Sequence, residues 1–115
     1  MLSVPPTVSI FLYTRAADLR KGFDGLAGIV RQEFDADPLD GSLFLFVNRR
    51  RDRMKILHFD GTGFWLYYKR LEAGTFEVVV SEENHVEIDA TQLAMLLGGV
   101  SLASARRRKR YRQAS

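Results

Sequence analysis

Apolar and polar positions along the chain follow two rhythms, and the switches between them mark its elements. "VSIFLYT", residues 8–14, follows Pro5 and Pro6 and predicts a strand. From Asp18 the rhythm lengthens: Leu19, Phe23, Leu26, Val30 and Phe34 recur at steps of four, three, four and four, one apolar stripe of a helix. Gly22, Gly25 and Gly28 interrupt that stretch at intervals of three, and each costs a helix interior about 1 kcal/mol relative to Ala. Glycines so spaced share one side of a helix, so close approach of another backbone is the expected compensation. Packing on a sheet is favoured over contact with a phosphodiester chain.

"DADPLDGS", residues 35–42, is a turn-rich break. Strand patterns follow at 43–48, 54–59, 64–70 and 76–80, with a short fifth at 86–88. "DGTG" at 60–63 is a hairpin signal, and "EAGT" at 72–75 supplies a glycine for another reversal. Setting Phe59 opposite Phe64 pairs Leu57 with Leu66 and Lys55 with Tyr68 on one surface. The other surface then carries His58 by Trp65, Ile56 by Tyr67 and Met54 by Lys69. Neither surface is polar enough to remain wholly in water. "ATQLAMLLGG" predicts a short second helix with Asp89 or Thr91 as N-cap, an apolar stripe of Leu93, Leu96 and Leu97, and Gly98 as its stop.

The expected fold is α+β: a single domain over residues 1–105, followed by a flexible basic tail at 106–115. Its sheet is a mainly antiparallel meander of four to six strands, packed by one long N-terminal helix and one short C-terminal helix. The first strand fits either edge of that meander. A chain of 115 residues suits one hydrophobic core. The absence of cysteine excludes disulfides, thiolate nucleophiles and Cys-ligated zinc, and is compatible with a reducing cytoplasm. No secretory leader pattern is present, and no apolar run reaches the roughly 18 residues that a bilayer span requires. A cytoplasmic location without membrane contact is expected.

Charge changes the picture more than composition does. Six of the 17 basic residues lie in "RRRKRYR": Arg106, Arg107, Arg108, Lys109, Arg110 and Arg112. The remaining eleven face all 14 acidic residues, so the body is slightly acidic and the tail makes the protein basic. A second cluster, "RRRDRMK", sets Arg49, Arg50, Arg51, Arg53 and Lys55 against Asp52 alone, at the tip joining two predicted strands. Segregated cations of this kind suit a phosphate polyanion. Lys69 and Arg70, ending the strand "FWLYYKR", are further candidates for phosphate. Trp65 and Tyr67 suit core packing first, a protein interface together with Ile56 second, and base stacking third.

Catalytic constellations are not evident. His58 and His85 lack metal-ligand spacing. Asp18, Asp24, Asp60 and Glu72 have simpler tasks at a helix start, a turn and a strand end than as magnesium ligands. No phosphate-binding glycine loop, dinucleotide fingerprint or nucleophile elbow occurs. A non-enzyme without metal or cofactor is expected.

Taken in order, "DLRKGFDGLAGIV", "DPLDGSLFLFVNRRRDRMKIL", "FDGTGFWLYYKRLEAGTFE" and "QLAMLLGGV" resemble the accessory proteins encoded by the second open reading frame of the insertion-sequence sixty-six family. These are often labelled TnpB, a label shared with an unrelated RNA-guided nuclease. The likeness runs from about Asp18 to Val100; members often carry Trp-Pro where this chain has Glu77-Val78. The resemblance implies a bacterial mobile-element protein assisting a separate transposase, with no catalytic residues of its own. DNA binding is an expectation from charge: the tip and the tail hold element DNA, while the aromatic face docks the transposase or another copy of this chain. The alternative is a protein adaptor whose cations contact acidic surfaces of the transposase and never DNA. A general RNA-binding module fits less well, because the chain lacks the aromatic consensus of the common RNA-binding sheet domains.

Overall fold

A computed structural model describes residues 7–99. Its strands are β1 (Ile10–Tyr13), β2 (Leu43–Val47), β3 (Arg53–Phe59), β4 (Phe64–Arg70) and β5 (His85–Ile88); its helices are α1 (Phe23–Glu33) and α2 (Ala90–Leu97). They form one small α+β unit with a five-stranded sheet in the order β4-β3-β2-β1-β5. The central strand β2 is the continuous apolar run "LFLFV", and all of it is buried, because a strand covered on both faces has no side that prefers water.

Alternation along β2 divides the core. Phe44 and Phe46 point to the α1 side, where Leu26, Ala27, Val30 and Phe34 meet them together with Leu57. Leu43, Leu45 and Val47 point to the other side, packing with Ile10, Leu12, Ile56, Phe76, Val78 and with Leu93 and Leu96 of α2. Burying each phenylalanine fully stabilises the fold by about 1.5–3 kcal/mol. The hairpin register follows the expected pairing throughout, from Phe59 opposite Phe64 to Met54 opposite Lys69. At the start of α2, the Asp89 carboxylate accepts from the Gln92 N–H at 2.7 Å and the Gln92 side chain accepts from the Asp89 N–H at 2.9 Å. Asp89, not Thr91, is therefore the cap, in a reciprocal box that satisfies two orphan donors.

Four expectations require correction. The sheet is mixed and only mainly antiparallel, and it is not a simple meander: β1 pairs in parallel with β2 and antiparallel with β5, since α1 carries the chain back before β2 begins. The N-terminal helix is short and starts at Phe23. Asp18 accepts from the Arg20 backbone N–H at 3.0 Å and from the Arg20 guanidinium, a local bonding pattern that competes with helix. Residues 76–80 form no strand, although Phe76 and Val78 are buried in the core. The Phe76 N–H donates to the Arg51 carbonyl at 2.6 Å instead of joining a ladder, so the segment covers the α2 face of the sheet as irregular chain. Finally, the glycines of α1 admit no close backbone: a Cβ at Gly22 or Gly28 would meet nothing within 4 Å, and at Gly25 it would meet the Lys21 side chain at 2.9 Å.

Candidate nucleic-acid interface

The connection from β2 to β3 carries the densest positive charge among the described residues, and Asn48 builds it. Its side-chain oxygen accepts from the backbone N–H groups of Asp52 and Arg53 at 3.1 and 3.0 Å, while its amide donates to the Asp52 carboxylate at 2.7 Å. That last bond, ahead of the nearby Arg50 and Arg53 charges, holds the Asp52 carboxyl below its usual range. Arg51 takes a left-handed conformation, φ 60°, to close the turn. Two further bonds clamp the tip from the side, from the Leu71 N–H to the Asp52 carbonyl at 2.8 Å and from the Phe76 N–H to the Arg51 carbonyl. The tip is a fixed projection.

A second segment completes the site. The Ala17 N–H donates to the Val47 carbonyl at 2.9 Å, pinning the turn after β1 against the end of β2. Between this turn and the tip lies an open groove of about 340 Å³, walled by Asp18 and Arg20 on one side and by Arg49, Arg50 and Arg53 on the other, with Tyr68 at its floor. Arg20 is ion-paired to Asp18 at 2.8 Å. The bonds from Arg20 hold the Asp18 carboxyl down to about 2 and push the guanidinium up. Arg49, Arg50, Arg51 and Arg53 form no ion pair with a described carboxylate, because the two pairs among the described residues are Arg20 with Asp18 and Arg70 with Glu72. Arg20, Arg49, Arg50 and Arg53 border one cavity in which Asp18 is the single carboxylate among the described lining residues.

The remaining candidates from the sequence are placed differently. Lys55 does not line the groove; its ammonium donates to the carbonyls of Leu19 and Lys21 at 2.6 and 3.0 Å, so it holds the turn in place. Lys69 points to the opposite face and donates to the Leu97 carbonyl at 2.7 Å, at the end of α2. Arg70 is paired to Glu72 at 2.8 Å, and that contact raises its pKa. Arg106, Arg107, Arg108, Lys109, Arg110 and Arg112 lie outside the described residues. Of the proposed protein-contact residues, Ile56 is buried at 4% exposure and Tyr67 packs against the same core. Trp65 stays 54% exposed, stacked on Tyr67 with ring centroids 6.3 Å apart. Its indole N–H donates to Asp60 at 2.7 Å. Bonds from the Thr62 N–H, Trp65 and the Gly63 N–H hold the Asp60 carboxyl well below the usual range, so this residue organises its own loop.

Arg20 and Tyr68 are absent from the sequence-derived set of phosphate contacts. The signal for Tyr68 was present in the register, since pairing it with Lys55 puts it on the same face as Arg53. For Arg20 no local signal exists, because the β1–β2 pairing brings its turn beside the tip. No group of three or more His, Cys, Asp or Glu among the described residues is arranged to hold a metal. No helix among them is long and apolar enough to cross a membrane.

Comparison with known proteins agrees with the resemblance carried by the motifs. The chain is 36% identical over 100 residues to the uncharacterized protein y4hO of Sinorhizobium fredii (strain NBRC 101917 / NGR234), covering 87% of each chain. It is 29% identical over 99 residues to the uncharacterized protein y4jC of the same strain, covering 86% of this chain and 85% of that one. No solved structure matches. The family described as IS66 Orf2-like protein (TnpB) matches residues 8–107, through every element and the arginine groove, and the chain belongs to that family.

Proposed function

We propose that this protein is a non-catalytic accessory factor of IS66-type transposition that holds DNA phosphates in its arginine groove while a separate transposase performs the chemistry. Membership in the Orf2-like family supports a transposition-associated role. The observation carrying the DNA reading is that Arg49, Arg50 and Arg53 share one open cavity with Arg20 and form no ion pair with a described carboxylate, the Asp52 charge near Arg50 and Arg53 being bonded to Asn48. Guanidiniums left in this state offer forked donors to phosphate oxygens, and a fixed tip lowers the ordering cost on contact. Phosphate contacts of this type position a protein on DNA without reading its sequence. The exposed Trp65 on the other face of the hairpin supports a protein contact, with the transposase or a second copy as partner.

The test is titration of a labelled DNA duplex at low and moderate salt with the wild-type protein and an Arg49→Ala, Arg50→Ala, Arg53→Ala variant. Wild-type affinity is expected to fall steeply with salt, and the variant to lose about 100-fold at low salt with a shallower slope, near 0.9 per phosphate contact removed. Equal binding by the two proteins would defeat the DNA reading. Co-purification with the cognate transposase that survives nuclease treatment would then favour the adaptor.

A further inference from the structure

The arginine groove contains a feature that phosphate binding alone does not use. Tyr68 is the one aromatic residue lining it among the described residues, and it is 55% exposed. Its neighbours on the same face of β4, Phe64 and Leu66, pack toward α1, whereas Tyr68 belongs to neither core cluster. The ring is nevertheless held. The Lys55 ammonium stands 5.2 Å from its centroid, and Arg53 donates to its hydroxyl at 3.3 Å. Lys55 is itself bonded to two backbone carbonyls, which anchor the cation over one face of the ring.

An exposed aromatic ring with an ammonium over one face, next to guanidiniums, matches the elementary needs of one nucleotide: the other π-face for the base and charge-assisted donors for the phosphate. A cavity of about 340 Å³ lies at the small end of ligand sites, which run from about 300 to 1,000 Å³. That size suits one nucleotide unit. In a duplex the base faces are stacked on one another and unavailable to a side chain; they become available where the strand is unpaired.

Building on the DNA reading above, we infer that the groove between the 17–20 turn and the 48–53 tip receives an unpaired nucleotide of single-stranded DNA. Its phosphate sits among Arg20, Arg49, Arg50 and Arg53, and its base lies on Tyr68. The protein is then a reader of opened DNA, and its occupant is a strand end or a melted segment.

The experiment compares the full chain on a labelled thymidine-rich single strand, the matching duplex and the matching RNA strand, by fluorescence anisotropy at one salt concentration. The single strand is expected to bind about 10-fold more tightly than the duplex. Tyr68→Ala should collapse that ratio toward one, while Tyr68→Phe and Tyr68→Trp should keep it, with thermal unfolding verifying that each variant is folded. Equal wild-type affinity for single strand and duplex, a ratio that survives Tyr68→Ala, or tighter binding of the RNA strand would overturn the inference. The duplex arm by itself reads the DNA reading, and the ratio between arms reads this one. Absence of binding in every arm would overturn both.

Discussion

The two faces of the β3–β4 hairpin alternate residue by residue and yet end in opposite states. Toward α2, Met54 and Ile56 are buried, Tyr67 packs on them, and the single cation of that face, Lys69, is engaged with the carbonyl of Leu97, the last residue of α2. Toward α1, the same strands are core at Leu57 and Leu66 but give way to Arg53, Lys55 and Tyr68, of which Arg53 and Tyr68 line the groove. The contrast teaches that a count of cations does not identify a binding surface. What matters is the partner each cation already has: Lys55, Lys69 and Arg70 are held by carbonyls or a carboxylate, whereas Arg49, Arg50 and Arg53 are not.

The largest test of this contrast is stability. Ile56→Ala should destabilise the fold by about 2–5 kcal/mol in denaturant unfolding, through the cavity it leaves. Arg53→Ala, three residues earlier in the strand and facing the groove, should shift stability by no more than about 0.5 kcal/mol. Similar losses at both positions would erase the distinction between the faces. Next comes the frame of the groove. Asn48→Ala removes three hydrogen bonds at the tip and should lower stability by about 1–3 kcal/mol, because donors in a half-buried turn lose their acceptor. Amide exchange at Asp52 and Arg53 should accelerate with it.

Smaller effects sharpen the electrostatic side. Asp18→Asn releases Arg20 from its ion pair and removes the carboxylate from the groove wall, so duplex affinity in an anisotropy titration should rise about 3-fold at low salt. A fall would mean that Asp18 serves to aim Arg20. The mildest effect lies under α1. The Tyr13 hydroxyl donates to Glu33 at 2.6 Å, and burial, followed by that bond, raises its pKa from 10.0 to about 12. The folded state retains this proton more firmly than the unfolded chain. The resulting stability is therefore complete below pH 10 and is lost as pH rises through about 12. Thermal melts across that window should show a decline in the wild-type protein that is reduced in Tyr13→Phe.

Much of the fold was legible because its rules are local. Alternation and the "DGTG" loop set the register of β3 on β4, in which Gly61 at φ 103° makes the reversal. The unbroken apolar run marked β2 as a strand, and the fold covers it on both faces. At α2, a short polar side chain before the stripe and a glycine after it marked both ends. The helix stripe misled at its beginning: Leu19 keeps the apolar spacing and packs on the core, but from a turn that Asp18 stabilises. Phe76 and Val78 likewise alternate as a strand does and point inward as a strand would, but no strand among the described residues pairs with them.

Sequence alone therefore determined which side chains seek the core, where the β3–β4 hairpin turns and that cations crowd one tip, since each follows from neighbours a few positions apart. Tertiary structure decided that β1 inserts between β2 and β5 and that Arg20 faces Arg49 and Arg50 across a groove. It also decided that Lys55 and Lys69 are spent on carbonyls. Those outcomes join segments tens of residues apart, and a backbone carbonyl's need for a donor leaves no trace in the pattern of side chains along the chain.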